Sequence, residues 1–204
     1  RCAGQLLALV NDVLELSRID SGQMRIQRSP TDLAALVGEA AASVQFEADA
    51  KRLGLELEVD ERLPTVETDP DRVRQILLNL LSNAVKFTES GAITLRVRHL
   101  PAHARFHAAL RPSSPPGANG WIGIAVHDTG VGIPEEQIQV IFEEFVRGPR
   151  TAKDAPGTGL GLAISSHLAR LLGGDLRAES DPGRSSTFML FIPCPAPAGH
   201  RVGR

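Results

Sequence analysis

The sequence predicts an α/β protein in which helices pack against a mixed β-sheet. The first observation is a set of short segments with the alternating or apolar character of strands, at 55–59, 93–97, 121–126, 174–180 and 186–192. The second is a set of longer segments with helical character, at 1–20, 31–53, 70–86 and 158–172. The third is composition, because 204 residues with 42% hydrophobic residues can bury one main core and carry a small appendage.

The first 20 residues are predicted to form an amphipathic helix that ends at Ser21-Gly22. Its apolar residues recur at three- and four-residue spacing: Leu6, Leu9, Val13 and Leu16. This helix either packs on its own domain or is the end of a bundle helix whose partner is missing. The chain begins with Arg1 in mid-pattern, without an initiator methionine, so we expect it to be part of a longer protein.

Capping residues mark the next two helices. Segment 24–27 alternates like a short strand, after which Thr31-Asp32 is predicted to cap a helix that runs to about residue 53 and is stopped by Gly54. Asp69-Pro70 combines an N-cap with a proline in the first turn and is predicted to start the helix that continues to about Lys86.

A hairpin with a long connection follows. Strands 93–97 and 121–126 are its predicted partners, and the proline- and glycine-rich segment 99–120 between them is expected to be a mobile surface excursion. A short helix is predicted at 134–141, and the tail after residue 193 is expected to be disordered.

Three polar motifs accompany these elements. On the helix 70–86, Asn79, Asn83 and Lys86 fall within one narrow stripe beside the apolar face, because successive residues are about 100° apart. An amide oxygen suits Mg²⁺ that is shared with phosphates, and a lysine one turn further on can meet those phosphates. A solvated polar edge is an equally good explanation of this helix taken alone.

The second motif is a carboxylate at the end of a strand, Asp128, followed by Gly130 and Gly132. A carboxylate with flexible backbone beside it suits recognition of an exocyclic amino group.

The third motif places Gly157, Thr158, Gly159, Leu160 and Gly161 at a helix N-terminus, where unpaired N–H groups favour phosphate. The basic, polar segment 147–156 before it is expected to be mobile until an anion orders it. The Gly-Lys-Ser/Thr of a Walker loop is absent, and these glycines do not follow a strand as in a Rossmann unit.

Together and in this order, the motifs resemble the ATP-binding fold shared by histidine kinases, gyrase B, HSP90 and MutL. The matching boxes are the N box at 79–87, the G1 box at 128–132, the F box at 141–145, the G2 box at 157–161 and a weaker last box at 183–188. The resemblance covers residues 24–193. It implies a two-layer α/β sandwich, the Bergerat fold, with a mixed sheet, helices on one face and an N-terminal helical stub.

Within that superfamily the details favour a sensor histidine kinase. The ATPase members have a water-activating glutamate where this chain has Asn79. The F box is similar to that of the kinases, and residues 5–21 resemble the end of the second helix of the kinase dimerisation hairpin. The only histidine followed by an acid is His127, at a strand end, so we expect the phosphoacceptor helix to lie upstream of Arg1.

The resemblance implies a role for each motif. Asp128 accepts a hydrogen bond from the adenine amino group with Thr187 beside it, Asn83 holds Mg²⁺, and Asn79 supports Asn83. Lys86 meets phosphate, Phe87 flanks the nucleotide, and the backbone of the G2 box receives the phosphates of ATP.

The implied enzyme is a protein-histidine kinase with a hairpin end at 1–22, a catalytic domain at 23–194 and a tail at 195–204. Its implied partners are its own upstream hairpin, a response regulator and a second copy in a homodimeric parent. A net charge of −2 argues against a nucleic-acid partner. A cytoplasmic location is expected because no apolar run approaches the roughly 20 residues that span a bilayer. The sequence leaves open whether the parent is membrane-anchored.

Two alternatives remain at this stage. One is an ATPase of the gyrase or HSP90 type, against which Asn79 argues. The other is a nucleotide sensor without kinase activity, against which the intact boxes argue.

Overall fold

The computed structural model describes residues 2–146 and 158–194. The helices are α1 (Cys2–Asp20), α2 (Leu33–Ala50), α3 (Pro70–Phe87), α4 (Glu135–Ile138) and α5 (Gly161–Leu171). The strands are β1 (Ser29–Thr31), β2 (Gly54–Val59), β3 (Val66–Thr68), β4 (Ala92–Leu100), β5 (Trp121–Asp128), β6 (Asp175–Asp181) and β7 (Ser185–Pro193). The predicted segment 147–156 and the predicted tail lie outside the described residues.

Five strands form one mixed sheet in the order β2-β4-β5-β7-β6. Strands β2 and β4 are parallel, and the remaining neighbours are antiparallel. One face of this sheet supplies the main core together with α2, α3 and α5, whose buried residues belong to the same apolar cluster. The predicted α/β fold, with a mixed sheet and helices on one face, is confirmed.

The helices begin where their caps predict. Asp69 Oδ1 accepts from the backbone N–H groups of Asp71 (3.1 Å) and Arg72 (3.2 Å), and Pro70 occupies the first turn of α3. Asp32 caps α2 in the same way. The predicted end of α2 is wrong, because the helix stops at Ala50 and the chain reverses through Arg52 at φ 58°. Gly54 already belongs to β2.

The strand predicted at 24–27 is also wrong. The backbone N–H of Gln27 donates to Asp69 Oδ2 at 2.8 Å, so this stretch is held by the cap of α3 and not by a strand partner. The strand lies slightly later, at β1, and pairs antiparallel with β3 in a separate two-stranded sheet. The sequence pattern did not predict β3.

The long connection between β4 and β5 joins antiparallel partners, as predicted, but part of it is packed. Along β5 and β7 the residues of even number face the helices, so Trp121 and Phe191 face the opposite side of the sheet. Phe106 packs edge-on against Phe191 at 5.3 Å between ring centres, and Leu110 is buried. Segment 101–120 therefore covers part of the face that the helices leave open.

Helix α1 is half docked. Leu16 and Ile19 are buried in the main core, whereas Leu6, Leu7 and Leu14 are exposed. Gly22, at φ 66°, ends the helix as predicted. Among the described helices, none has the length and apolarity needed to cross a membrane.

Candidate functional site

Helix α3 carries one side of the candidate site along its edge. Asn79 and Asn83 lie one turn apart on the partly buried border of its apolar face. Asn83 Nδ2 points to Asn79 Oδ1 at 3.5 Å, and Asn79 Nδ2 donates to Ser165 Oγ of α5 at 2.9 Å. The predicted pair of carboxamides is therefore present, and Asn79 is also held by a second helix.

A glycine lets α5 approach α3 closely. Gly161 is the first residue of α5, and a Cβ atom added there would overlap the Asn79 carboxamide. Leu160, the N-cap residue, supplies no side-chain cap to the helix. A helix N-terminus without such a cap presents backbone N–H groups and a positive dipole end, which together favour an anion.

The C-terminus of α3 is held by Lys51, which follows α2. Lys51 Nζ donates to the carbonyl oxygens of Val85 (2.7 Å), Lys86 (3.1 Å) and Thr88 (3.3 Å). Carbonyl groups at a helix C-terminus lack intrahelical partners, so the ammonium group satisfies an end that would otherwise need water.

Lys86 and Phe87 occupy this same C-terminal turn. Lys86 Nζ lies 4.7 Å from the centre of the Phe87 ring, within the range of a cation–π contact. The Phe87 carbonyl oxygen lies so close to Gly130 that an added Cβ atom would come within 2.5 Å of it. Gly130, two residues after Asp128, therefore allows the end of β5 to lie against the end of α3.

Asp128 ends β5 on the helix-facing side of the sheet and is only 4% exposed. Burial raises the pKa of its carboxyl group, and the hydrogen bond from the Gly130 N–H opposes part of that shift. Within residues 2–146 and 158–194, that N–H is the one donor seen at the carboxylate, at 2.9 Å from Oδ1. The carboxylate can thus accept a further hydrogen bond from a ligand at Oδ2.

Gly132 has a structural explanation of its own. It adopts φ 67°, and a Cβ atom there would overlap the carbonyl oxygen of Asp181 at the end of β6. Close approach to β6 is sufficient to account for this glycine.

The predicted placement of Thr187 beside Asp128 is wrong. In the β5–β7 ladder Asp128 lies opposite Ser186, and His127 lies opposite Thr187. Because neighbouring side chains in a strand point to opposite faces, Ser186 shares the face of Asp128 and Thr187 does not. Thr187 Oγ1 instead lies 3.0 Å from His127 Nδ1 on the other face. His127 is a strand side chain, as predicted.

The described part of the G2 box connects to α1. Thr158 Oγ1 donates to Asp12 Oδ2 of α1 at 2.7 Å and accepts from the Leu160 N–H at 3.2 Å. The Leu160 side chain is buried in the core. Gly159 has φ 77° and packs against the backbone of Phe145, at the end of the predicted F box. Gly157 lies outside the described residues.

Residues 68–196 match the family described as histidine kinase-, DNA gyrase B-, and HSP90-like ATPase. The chain belongs to this ATPase family. The prediction of an ATP-binding domain of the histidine kinase superfamily is thereby confirmed.

Several curated relatives of this chain carry the name of a histidine kinase or a sensor protein. The circadian input-output histidine kinase CikA of Synechococcus elongatus is 38% identical over 92% of this chain and 23% of its own length. The aerobic respiration control sensor protein ArcB of Escherichia coli is 34% identical over 93% of this chain and 23% of its own length. This chain thus spans about a quarter of these curated relatives.

Among solved structures, full-length ShkA in complex with AMPPNP has a TM-score of 0.78 and 32% identity. That likeness covers 98% of this chain and 38% of ShkA. It supports the mixed sheet and the helical layer of the ATPase fold described above.

The structure of this ATPase family member brings two groups of predicted residues together. Asn79, Asn83 and Gly161 meet where α3 and α5 touch, and Phe87 and Gly130 join Asp128 to the end of α3. Sequence reasoning missed four residues near the predicted ones: Lys51 at the end of α3, Ser165 bonded to Asn79, Ser186 opposite Asp128, and Asp12 bonded to Thr158. None of them lies in a motif that reveals its partner.

The donor set of the candidate site fits a magnesium ion that is shared with phosphates. Among residues 2–146 and 158–194 there is no cluster of three His, Cys, Asp or Glu side chains that could hold a metal by itself. Neutral carboxamides on α3, next to the start of α5, are suited to a hard cation that brings phosphate ligands with it.

Proposed function

We propose that this chain is the catalytic ATP-binding domain of a two-component sensor histidine kinase. It transfers the γ-phosphoryl group of ATP to a histidine on a dimerisation hairpin. The bond that forms joins phosphorus to an imidazole nitrogen, the bond to the β,γ-bridging oxygen breaks, and ADP leaves. Because such transfer needs little covalent help, the domain contributes positioning and charge neutralisation.

The observation that carries this proposal is Asn79. A carboxamide cannot take a proton from water as a glutamate does, and its Nδ2 group is already engaged by Ser165 at 2.9 Å. A site that binds ATP without a base for water favours transfer to an external acceptor over hydrolysis.

The roles proposed for the remaining residues are those that the resemblance implies, adjusted to the contacts described above. Asp128 Oδ2 accepts from the adenine amino group, and Ser186 takes the neighbouring position first assigned to Thr187. Asn83 Oδ1 is the protein ligand of Mg²⁺, which when bound neutralises phosphate charge, and Asn79 supports Asn83. Lys86 meets phosphate and Phe87 flanks the nucleotide. The backbone at 157–161 receives the phosphates.

The exposed half of α1 supports the proposed partners. Leu6 (64% exposed), Leu7 (62%) and Leu14 (53%) form an apolar seam on a helix whose other side is docked. Such a seam fits the remainder of a dimerisation hairpin, and a second copy in a homodimeric parent. We also propose that the hairpin ends and the catalytic domain begins near residue 22, and that this domain lies in the cytoplasm. A response regulator then receives the phosphoryl group from the histidine.

The test is phosphotransfer with labelled ATP. The chain alone should not become stably phosphorylated, and adding the parent's upstream hairpin in trans should place acid-labile label on that hairpin. A hairpin with its acceptor histidine replaced by glutamine is the control and should stay unlabelled. Acid-labile phosphate on this chain itself would contradict the proposal, and steady phosphate release without any acceptor would favour an ATPase.

A further inference from the structure

Ser165 lies at the contact between α5 and α3 and has no part in the roles assigned so far. Its side chain is 2% exposed, and its hydroxyl oxygen accepts from Asn79 Nδ2 at 2.9 Å. Gly161, one turn earlier on α5, packs on the same carboxamide. One face of α5 therefore determines the position of the Asn79 side chain.

The orientation of one carboxamide determines that of the next. A carboxamide has a donating end, Nδ2, and an accepting end, Oδ1. A serine hydroxyl can donate as well as accept, so Ser165 alone does not choose between the two ends. The start of α5 does, because Asn79 Oδ1 is the atom nearest Gly161, beside backbone N–H groups that an N–H₂ group would repel. Asn79 Nδ2 is then left to donate to Ser165, and Asn79 Oδ1 lies 3.5 Å from Asn83 Nδ2. Asn83 Oδ1 is then free to face away from Asn79, where a ligand can reach it. Reversing the Asn79 amide would favour reversal of the Asn83 amide and would turn an Asn83 N–H group toward the ligand instead.

We infer that Ser165 is a positioning residue that holds Asn79 in this orientation and, through it, Asn83, so that an amide oxygen faces the magnesium ion of the bound nucleotide. The inference rests on the proposed function, because it takes Asn83 Oδ1 as the metal ligand. An N–H group in the same place would repel a cation, so the effect of Ser165 is confined to the metal-dependent part of nucleotide binding.

The test compares four variants of the 204-residue chain. Ser165→Thr keeps the hydroxyl, Ser165→Val has nearly the shape of threonine but no hydroxyl, and Ser165→Ala removes the hydroxyl with the least change in packing. Ser166→Ala is the matched control, since Ser166 is equally buried on α5 but lies about 100° further around the helix. Calorimetric titration with ADP, with and without Mg²⁺, separates metal-dependent from metal-independent affinity.

We expect the Val and Ala variants to weaken the apparent Mg²⁺ affinity of the ADP complex by about 3- to 10-fold, the effect of one neutral hydrogen bond. Affinity for ADP without metal should change less than about twofold, and the Thr variant should resemble the unchanged chain. Thermal unfolding of the Val and Thr variants checks that the two fold equally well.

Two outcomes overturn the inference without touching the proposed function. One is the same apparent Mg²⁺ affinity in the Val and Thr variants, which would mean that the hydroxyl has no effect. The other is an equal loss of affinity with and without metal, which would mean that Ser165 only packs. If the unchanged chain binds ADP with no Mg²⁺ dependence, both the inference and the proposed metal site fall.

Discussion

Replacing Asp128 by asparagine should weaken nucleotide binding without weakening the fold. Asparagine keeps an oxygen that can accept from the Gly130 N–H, now 2.9 Å from Oδ1, so the turn after β5 retains its hydrogen bond. The other end of the side chain becomes an N–H₂ group, which donates where the adenine amino group also donates. The site thus loses an acceptor and gains a repulsive contact.

The magnitude follows from the kind of bond that is lost. A hydrogen bond to a charged group contributes about 1.5–3 kcal/mol, which corresponds to roughly 10- to 150-fold in affinity. The free energy of unfolding should stay the same or rise slightly at neutral pH, because the substitution removes a carboxylate that is 4% exposed and whose pKa is raised by burial.

Isothermal calorimetry with ATP and Mg²⁺ measures the affinity, and chemical unfolding measures the stability. Asp175→Asn is the matched control: Asp175 is also buried, but it lies on the opposite face of the sheet, where it accepts from the Ser113 N–H. It should leave ATP affinity unchanged. Unchanged affinity in Asp128→Asn would refute the assignment of Asp128 to the adenine.

The raised pKa of Asp128 also gives a pH dependence with a definite sign. A carboxyl whose pKa is higher in the folded than in the unfolded state binds more protons when folded. Its contribution to stability is therefore present below its unfolded pKa and is lost as the pH rises through its folded pKa. Asp128→Asn should remove this loss, so the difference in stability between the two proteins should grow in favour of the variant as pH rises over that range.

Two further predictions concern how α3 is held. Gly161→Ala should destabilise the fold by about 1–3 kcal/mol and weaken ATP binding, because the added Cβ atom overlaps the Asn79 carboxamide. Gly38→Ala, at an uncrowded position inside α2, is the control and should stabilise the fold by about 0.5–1 kcal/mol. Equal shifts in melting temperature for the two variants would contradict the proposed crowding. Lys51→Met should lower the free energy of unfolding by about 1–2 kcal/mol, because it removes the hydrogen bonds from Nζ to the end of α3, and Lys51→Arg should keep most of that stability. If urea unfolding finds the Met variant as stable as the unchanged chain, water replaces the ammonium group.

Much of this protein is determined by signals that lie within short stretches of sequence. The caps at Asp32 and Asp69 act on backbone groups two or three residues away, so they predicted where α2 and α3 begin. The stripe of Asn79, Asn83 and Lys86 follows from the periodicity of one helix. The order of the polar motifs along the chain was sufficient to indicate the ATPase family.

The tertiary structure decided everything that depends on a partner far away in the sequence. The alternation along β7 shows that Ser186 and Thr187 face opposite sides, but only the pairing with β5 shows that Ser186 shares the side of Asp128. Nothing near Ser165 predicts that it meets Asn79, 86 positions earlier, because that contact depends on how closely α5 crosses α3. The sequence alone therefore indicated the main polar groups of the proposed site, and the packing of helices and strands decided which of them meet and which further residues join them.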